Sequence, residues 1–271
     1  MDPNLRTLPC IESAMKHEPA FTYIGGPTAL LEWGGLRFLT DPAFDPAGTE
    51  YKSGPATLRK LASPAISAES LDRIDVVLLS HDQHYDNLDH AGRALLPRAG
   101  RVLTTTAGAE RLGANARGID TWKSLQIPAP EGGKFIITGT PCRHGPAGMD
   151  RGPVTGFVIS WSETPENLLY ISGDTVWYEG VAEIARRFTI YTAVLFMGAA
   201  LVPEIVNSPL TMTAADGIEA ARAFQNAKIV PLHYEGWAHF SESRDVISSA
   251  FDSADLANRL HWLQAGIKSE L

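Results

Sequence analysis

The sequence has few cysteines, no long apolar run and no excess of basic charge. Two cysteines in 271 residues cannot build a disulfide framework, and no apolar run reaches about 18 residues, the length of a membrane span. Asp and Glu number 31 against 23 Lys and Arg, which leaves a net charge of −8 and disfavours nucleic-acid binding. The first residues lack the basic and then apolar pattern of a signal peptide. We therefore expect a cytoplasmic protein without a membrane span or a nucleic-acid partner.

The composition favours one folded domain. Hydrophobic residues make up 44% of the chain and charged residues 20%, which excludes a disordered protein. Since no linker-like composition divides the chain, residues 1–271 are predicted to form a single domain. Within it, residues 1–20 are predicted as a leader, and residues 43–70, rich in Pro, Gly, Ser and Ala, as a long loop or lid. The composition does not exclude assembly into a homo-oligomer.

Apolar runs and helical patterns alternate along the chain. Two β-rich runs, at 29–33 and 36–40, flank a Gly-Gly pair and predict a hairpin. A short apolar run at 76–79 predicts a strand buried on both faces. Further strands are predicted at 101–105, 135–138, 156–161, 168–172, 193–197 and 229–232, and helices at 88–96 (with Asn87 as N-cap), 107–112, 181–188, 214–224 and 244–256. This α/β pattern indicates two packed sheets with helices outside.

Histidine and aspartate side chains follow four of the predicted strands, where sheet folds place their sites. The imidazoles and carboxylates at these four strand ends are His81, His84, Asp86, His144, Asp174 and His233. Such groups on rigid strand ends are ligands for a divalent ion of the Zn²⁺ type, and loops can leave one position open for water. The sequence therefore predicts a metal site. Asp41, directly before Pro42, is interpreted only as a turn former.

The motifs that carry these residues resemble those of a known family. Residues 80–89 resemble the His-x-His-x-Asp-His signature of the metallo-β-lactamase superfamily. Residues 140–145, 172–175 and 230–233 are similar to its segments for the third histidine, the bridging aspartate and the last histidine. The resemblance covers about residues 20–240. It implies an αββα four-layer sandwich of the metallo-β-lactamase type.

Two further segments narrow the resemblance to one branch of the superfamily. Residues 24–28 and 39–42 are similar to the branch that contains ascorbate-6-phosphate lactonase, N-acyl-phosphatidylethanolamine phospholipase D and many metal-dependent hydrolases. The resemblance implies that His81, His84 and His144 hold a first ion. A second ion would be held by Asp86 and His233, with Asp174 bridging the two. One or two ions are expected, with Zn²⁺ as the first choice and Mn²⁺ as the alternative.

The spacing within the signature departs from the family pattern. Aligned on Asp86, His84 is the second histidine, and His81 is the first only across a one-residue insertion. Without that insertion, Asp82 takes the first place. An alignment that starts from Ser80 and His81 instead would put a glutamine second. We favour the alignment on Asp86 because it preserves more of the pattern.

The favoured alignment places Asn87 where the histidine of the second metal site is expected. An amide is a much poorer ligand than imidazole for Zn²⁺. The second site is therefore predicted to be weak, to hold a harder ion such as Mn²⁺, or to be empty.

Four more residues are candidate substrate contacts. His239 lies six positions after His233, close enough to donate a hydrogen bond to substrate or to support a metal ligand. Tyr234 and Trp237 are predicted to form pocket wall, and Arg143 to meet an anionic group.

The function predicted from these residues is metal-dependent hydrolysis of a small-molecule or lipid-like ester, lactone or phosphodiester. The resemblance implies a metal-bound hydroxide as the nucleophile, since a divalent ion lowers the pKa of bound water to roughly 7. Asp86 and Asp174 are the predicted catalytic residues, and Asp86 would orient the hydroxide. The alternative is a sensor or binding protein of the same fold that holds metal without hydrolysis. Asn87 and Gln83 are its main support.

Overall fold

The computed structural model of the protein describes residues 18–271. Most of the predicted leader, residues 1–17, lies outside the described residues. The strands are β1 (Ala20–Gly25), β2 (Thr28–Trp33), β3 (Leu36–Thr40), β4 (Glu50–Ser53), β5 (Ala56–Arg59), β6 (Val76–Leu78), β7 (Arg101–Thr104), β8 (Ala116–Gly118), β9 (Ser124–Pro128), β10 (Lys134–Pro141), β11 (Thr155–Trp161), β12 (Thr164–Ile171), β13 (Ile190–Phe196), β14 (Lys228–Leu232) and β15 (Lys268–Glu270). The α-helices are α1 (His90–Leu95), α2 (Thr106–Leu112), α3 (Glu179–Arg187), α4 (Ala214–Ala223) and α5 (Arg244–Ser253).

The strands form two large sheets that pack face to face. One sheet has the order β15-β1-β2-β3-β6-β7-β8, the other β14-β13-β12-β11-β10-β9, and β4 pairs with β5 as a separate hairpin. Helix α1 packs against the outer face of the first sheet, and α3, α4 and α5 against that of the second. The predicted α/β class and αββα layering are confirmed. Within residues 18–271, no helix has the length and hydropathy needed to cross a membrane.

Strand β6 shows how the sequence builds these layers. Val76 and Leu78 point into the core between the two sheets, whereas Val77 and Leu79 point to the core beneath α1. All four side chains are buried. A strand that is covered on both faces carries apolar residues at every position rather than at alternate ones. The run therefore ends at the point where the chain leaves the core, and His81 follows two residues later.

The segment 43–70, predicted as a long loop, contains the β4–β5 hairpin. Tyr51 and Leu58 are buried and pack with Val202 and Trp237 in one apolar cluster. The prediction missed this hairpin because each strand has only four residues and half of their side chains face outward. The hairpin consequently forms part of the wall beside the metal-site loops.

Helix α1 begins two residues later than the sequence predicted. Its N-cap is Asp89, whose side chain accepts a hydrogen bond from the Gly92 N–H at 2.8 Å. The predicted cap, Asn87, instead donates its side-chain amide to Asp41. Asp89 has a further role, because its second carboxylate oxygen accepts the buried Lys60 ammonium at 2.9 Å. This ion pair connects the start of α1 to the chain just after β5.

Substituting Gly92 by alanine should destabilise the protein. Gly92 is buried in α1, and a Cβ at this position would overlap the carbonyl oxygen of Pro42. Because that oxygen is backbone, the helix must move to relieve the clash. We expect a loss of about 1–3 kcal/mol in the free energy of unfolding, measured by urea denaturation. Ala94→Ser, at an exposed position on the same helix, is the control and should stay within about 0.5 kcal/mol. Equal stability of G92A and the unaltered protein would contradict this packing.

Candidate metal centre

Three histidine side chains converge at one edge of the two sheets. His81 and His84 follow β6, and His144 follows β10. His81 Nε2 lies 2.9 Å from His84 Nδ1, and His144 Nε2 lies 3.1 Å from the same atom. His81 and His144 are buried and His84 is partly buried. We call these three residues the histidine triad.

Neighbouring groups fix the orientation of two of these rings. The Oγ of Ser80 lies 2.8 Å from His81 Nδ1, and the Leu210 carbonyl accepts from His144 Nδ1 at 2.8 Å. Each Nδ1 is therefore engaged outside the cluster, and each Nε2 points into it. A hydrogen bond on one ring nitrogen that leaves the other free is the usual arrangement of a metal-binding histidine.

A second cluster lies against the first. His233 Nε2 is 3.4 Å from Asp86 Oδ2 and 3.6 Å from Asp174 Oδ1. We call Asp86, Asp174 and His233 the aspartate–histidine triad. Asp174 Oδ2 faces the other way, 3.7 Å from His144 Nε2. One carboxylate therefore presents an oxygen to each triad, which is the geometry of a bridging ligand.

A glycine allows Asp174 to reach this position. Gly173, just after β12, has a φ of +59°, a conformation that favours glycine. A Cβ there would lie 2.8 Å from the Cβ of Ser80 and 2.9 Å from the carbonyl oxygen of Thr155. The Asp174 turn thus packs directly on the loop that carries His81. The turn that carries Asp174 and the loop that carries His81 can therefore come into contact because Gly173 has no side chain.

The electrostatics of the two triads suit a cation. Burial lowers the pKa of all four histidines, and lowers that of His144 to about 3, so the imidazoles are neutral and free to bind metal. Burial, followed by repulsion from Asp86 and Asp41, raises the pKa of Asp174 well above its ordinary value. Burial also acts to raise the pKa of Asp86, but the neighbouring His233 and His239 imidazoles outweigh it and hold that pKa well below its ordinary range. A cation between the triads would offset the repulsion among these carboxyls.

Unpartnered buried atoms show that the residues present fit a metal. Among the described residues, Asp174 Oδ1 and His233 Nε2 are buried and have no hydrogen-bond partner. Leaving such groups unpaired is costly unless an unseen ligand satisfies them. Imidazole with carboxylate is a donor set that suits Zn²⁺ and Mn²⁺. The histidine triad would hold one ion and the aspartate–histidine triad a second, with Asp174 shared.

The structure places His81, and not Asp82, in the histidine triad. Asp82 turns away and accepts two hydrogen bonds from the Arg111 guanidinium, at 2.8 and 2.5 Å. The geometry therefore agrees with the alignment on Asp86 and with an inserted residue after His81. Asn87 is fully buried beside the aspartate–histidine triad.

Asp41 lies in a bend, as the interpretation of it as a turn former implies, but its carboxylate also bonds to the loop that carries His81 and His84. Its carboxylate accepts the Ser80 N–H at 2.5 Å and the Asn87 amide at 3.3 Å. Burial raises the pKa of Asp41 to about 7, although these hydrogen bonds oppose the shift. The available signal was its position at the end of β3, which runs parallel to β6 as its neighbour. Parallel strands deliver their following residues to one edge of the sheet.

The predicted substrate contacts divide into two groups. His239 lies in the centre, with Nε2 3.0 Å from Asp86 Oδ2, and Trp237 packs near its ring. A narrow recess ends on the two triads, and neither Arg143 nor Tyr234 lines it. The Arg143 guanidinium stacks over the Tyr178 ring at 4.6 Å, a favourable cation–π contact.

Tyr234 is buried for a structural reason. Its ring stacks on Tyr23 at 6.4 Å and meets the edge of Trp262 at 4.9 Å. These contacts tie β1 to the C-terminal segment. These contacts give Tyr234 a packing role, and its predicted contact with substrate stays a prediction. Arg151, seven residues after His144, lines the recess in place of Arg143.

The pKa shifts predict that the metal-free protein loses stability in acid. The four triad histidines have an ordinary pKa of 6.5 that folding lowers, so their contribution is full above pH 6.5 and is lost as pH falls. Asp41 and Asp174, raised from 3.8, act in the opposite direction but are fewer. The free energy of unfolding should therefore rise between about pH 4 and 6.5.

Urea unfolding of chelator-treated protein at several pH values measures this dependence. His144→Gln removes one of the four titrating groups, and its dependence on pH should be shallower. A free energy of unfolding that falls as pH rises through this range would contradict the assignment of neutral, buried histidines.

The αββα sandwich places two candidate metal-binding triads at one edge. Residues 36–234 match the model of the beta-lactamase superfamily domain, and the chain belongs to that superfamily. It is 26% identical over 236 residues to the UPF0173 protein YddR of Bacillus subtilis, which covers 84% of this chain and 90% of that protein. It is also 26% identical over 217 residues to a UPF0173 metal-dependent hydrolase of Pyrobaculum aerophilum, over 78% of this chain and 82% of that protein.

Solved structures share the fold. The isothiocyanate hydrolase from Delia radicum gut bacteria superposes with a TM-score of 0.79 and 23% identity, over 93% of this chain and 99% of that one. The superfamily resemblance in the motifs is confirmed. The narrower resemblance to the lactonase and phospholipase D branch stays a prediction.

Proposed function

We propose that this protein hydrolyses a small ester or lactone that carries a short apolar chain. The observation that carries the proposal is a narrow recess, with a cavity volume of about 30 Å³, that ends on both triads. His84, Asp86 and His144 form its floor. Five apolar side chains form its walls: Leu58, Ala200, Val202, Ile205 and Leu210. Apolar walls around a few polar groups are typical of small-molecule sites.

The charge of the recess favours an ester or lactone over a phosphodiester. Among the described residues that line it, Arg151 is the one permanent cation, and Ser53 is the one hydroxyl. Arg151 is positioned by its backbone N–H, which donates to the His144 carbonyl at 2.9 Å. A phosphodiester keeps a full negative charge that, apart from the metal ions, only this partly exposed guanidinium would meet among the lining residues, whereas an ester brings no charge.

The chain's own residues prepare the reaction by orienting water and substrate. A divalent cation, when bound, supplies Lewis-acid activation of water and of the scissile carbonyl. Asp86 lines the recess and faces the histidine side chains with a carboxylate whose pKa is held low. It is therefore placed to accept a hydrogen bond from the attacking water and to orient it. The apolar walls bind the acyl chain and exclude other water.

A panel of chromogenic substrates tests this function. Zn²⁺-loaded and Mn²⁺-loaded protein is assayed with nitrophenyl esters of increasing acyl length, with lactones, with a nitrophenyl phosphodiester and with an alkyl isothiocyanate. We expect kcat/KM for the esters to rise about fourfold per methylene until the recess is filled, since each buried methylene contributes ~0.8 kcal/mol. Ile205→Trp narrows the recess and should abolish this dependence while short esters are still cleaved.

Two outcomes of the panel would overturn the proposal. Preference for the phosphodiester over every ester would contradict the substrate class. No turnover of any substrate by protein that holds its full complement of metal would favour the non-hydrolytic sensor, which the Asn87 position also supports. Zinc as the resident ion and a cytoplasmic location belong to the proposal as well. Metal analysis of the isolated protein tests the first of these.

A further inference from the structure

Asn87 leaves the second metal site one imidazole short. Where the superfamily signature has a histidine, this chain has a fully buried asparagine. Its side-chain nitrogen donates to Asp41 Oδ2 at 3.3 Å. The amide nitrogen thus connects Asp41 to the site, while the amide oxygen is buried without a hydrogen-bond partner among the described residues. As a neutral amide, Asn87 is also a poor ligand for the ions that imidazole and carboxylate select.

His239 lies where a replacement ligand would be needed. Its Nε2 is 3.0 Å from Asp86 Oδ2, and the same oxygen is 3.4 Å from His233 Nε2. Two atoms bound to one ion at about 2.1 Å lie roughly 3.0–3.4 Å apart in octahedral or tetrahedral geometry. Both distances fall in that range. His239 and His233 therefore approach one carboxylate oxygen at distances that two ligands of a single ion would also have.

The fold holds His239 in this place. The His239 carbonyl accepts the Leu201 N–H at 2.8 Å, and its side chain is only 9% exposed. The Phe240 ring lies 4.8 Å from the His239 ring and 4.8 Å from the His233 ring, so it packs against both imidazoles. His239 Nδ1 is buried with no partner among the described residues. Asp86 is the hydrogen-bond partner of its other ring nitrogen.

We propose that His239 is a ligand of the second metal ion and replaces the signature histidine that Asn87 displaces. The ligand comes from a different part of the chain, the loop after β14 instead of the loop after β6. Together with Asp86 and His233, it would hold that ion. This inference rests on the metal-dependent function proposed above.

Metal binding, rather than activity, tests the inference. Chelator-treated protein is titrated with Zn²⁺ and with Mn²⁺ against a chromophoric competitor, and bound metal is counted by elemental analysis. We expect two ions in the unaltered protein. His239→Ala should keep the first ion at unchanged affinity and bind the second at least 10–100-fold more weakly. His239→Gln keeps a hydrogen-bond donor for Asp86 but no imidazole, and should also bind the second ion weakly.

Two further variants sharpen the test. His261→Ala removes a histidine that belongs to neither triad and should bind both ions as the unaltered protein does. Asn87→His combined with His239→Ala returns an imidazole to the signature position, and we expect the second ion to return. Unchanged affinity for the second ion in H239A, or its full recovery in H239Q, would overturn the ligand role. An unaltered protein that binds no ion would instead overturn the proposed function.

Discussion

Asp174→Ala should remove both metal ions and all hydrolytic activity. Among residues 18–271, Asp174 is the one whose two carboxylate oxygens face different triads, at 3.6 Å from His233 and 3.7 Å from His144. Losing it removes a ligand from each ion and the charge that balances them. We expect affinity for each ion to fall at least about 100-fold. Elemental analysis after gel filtration measures the loss.

The same variant should behave differently without metal. The pKa of Asp174 is raised because its carboxyl is buried near two other carboxyls, so the group opposes folding when no cation is present. Metal-free D174A should be at least as stable as the metal-free unaltered protein. Metal should no longer raise the melting temperature of D174A. In the unaltered protein, by contrast, an ion at 1,000 times its Kd would add about 4.1 kcal/mol to the free energy of unfolding.

Asp82→Ala is the matched control for this experiment. Asp82 is a buried aspartate in the same loop as His81, but it pairs with Arg111 instead of facing a triad. D82A should bind both ions normally. Loss of metal from D82A with retention in D174A would reverse the assignment and restore Asp82 as the alternative first ligand.

The sequence predicted the site residues that follow the strands because buried apolar residues give way abruptly to polar ones at those strand ends. The apolar run at 76–79 needs burial on both faces, so the polar residues after it must lie at the edge of the sheet. The same argument applied to His144, Asp174 and His233. Each side chain is placed by the strand before it, and that strand is visible as a local pattern in the sequence.

The remaining parts of the site depend on contacts between distant residues. The hydrogen bond of Asp41 to Ser80 spans 39 positions, and that of His239 to Asp86 spans 153. Neither pairing leaves a periodic signal in the sequence. The buried side chains of the β4–β5 hairpin, Tyr51 and Leu58, likewise pack with the distant Trp237, a contact that the short strands do not reveal in the sequence. The local pattern thus predicted ligand positions but not the groups that orient them.

Asp41→Ala should show how much the groups that orient the site residues contribute to metal affinity and to the free energy of unfolding. Removing the carboxylate leaves the buried Ser80 N–H and the Asn87 amide without their partner, and an unsatisfied buried donor costs about 1–3 kcal/mol. Ser80 also contacts His81 Nδ1, so the loop that presents this histidine should loosen. We expect metal affinity to fall about 10–100-fold although Asp41 is not in either triad.

Asp41→Asn keeps an acceptor for Ser80 and should recover part of both losses. Calorimetric metal titration and urea unfolding measure them, and unchanged values in D41A would show that the Ser80 loop holds its position without Asp41.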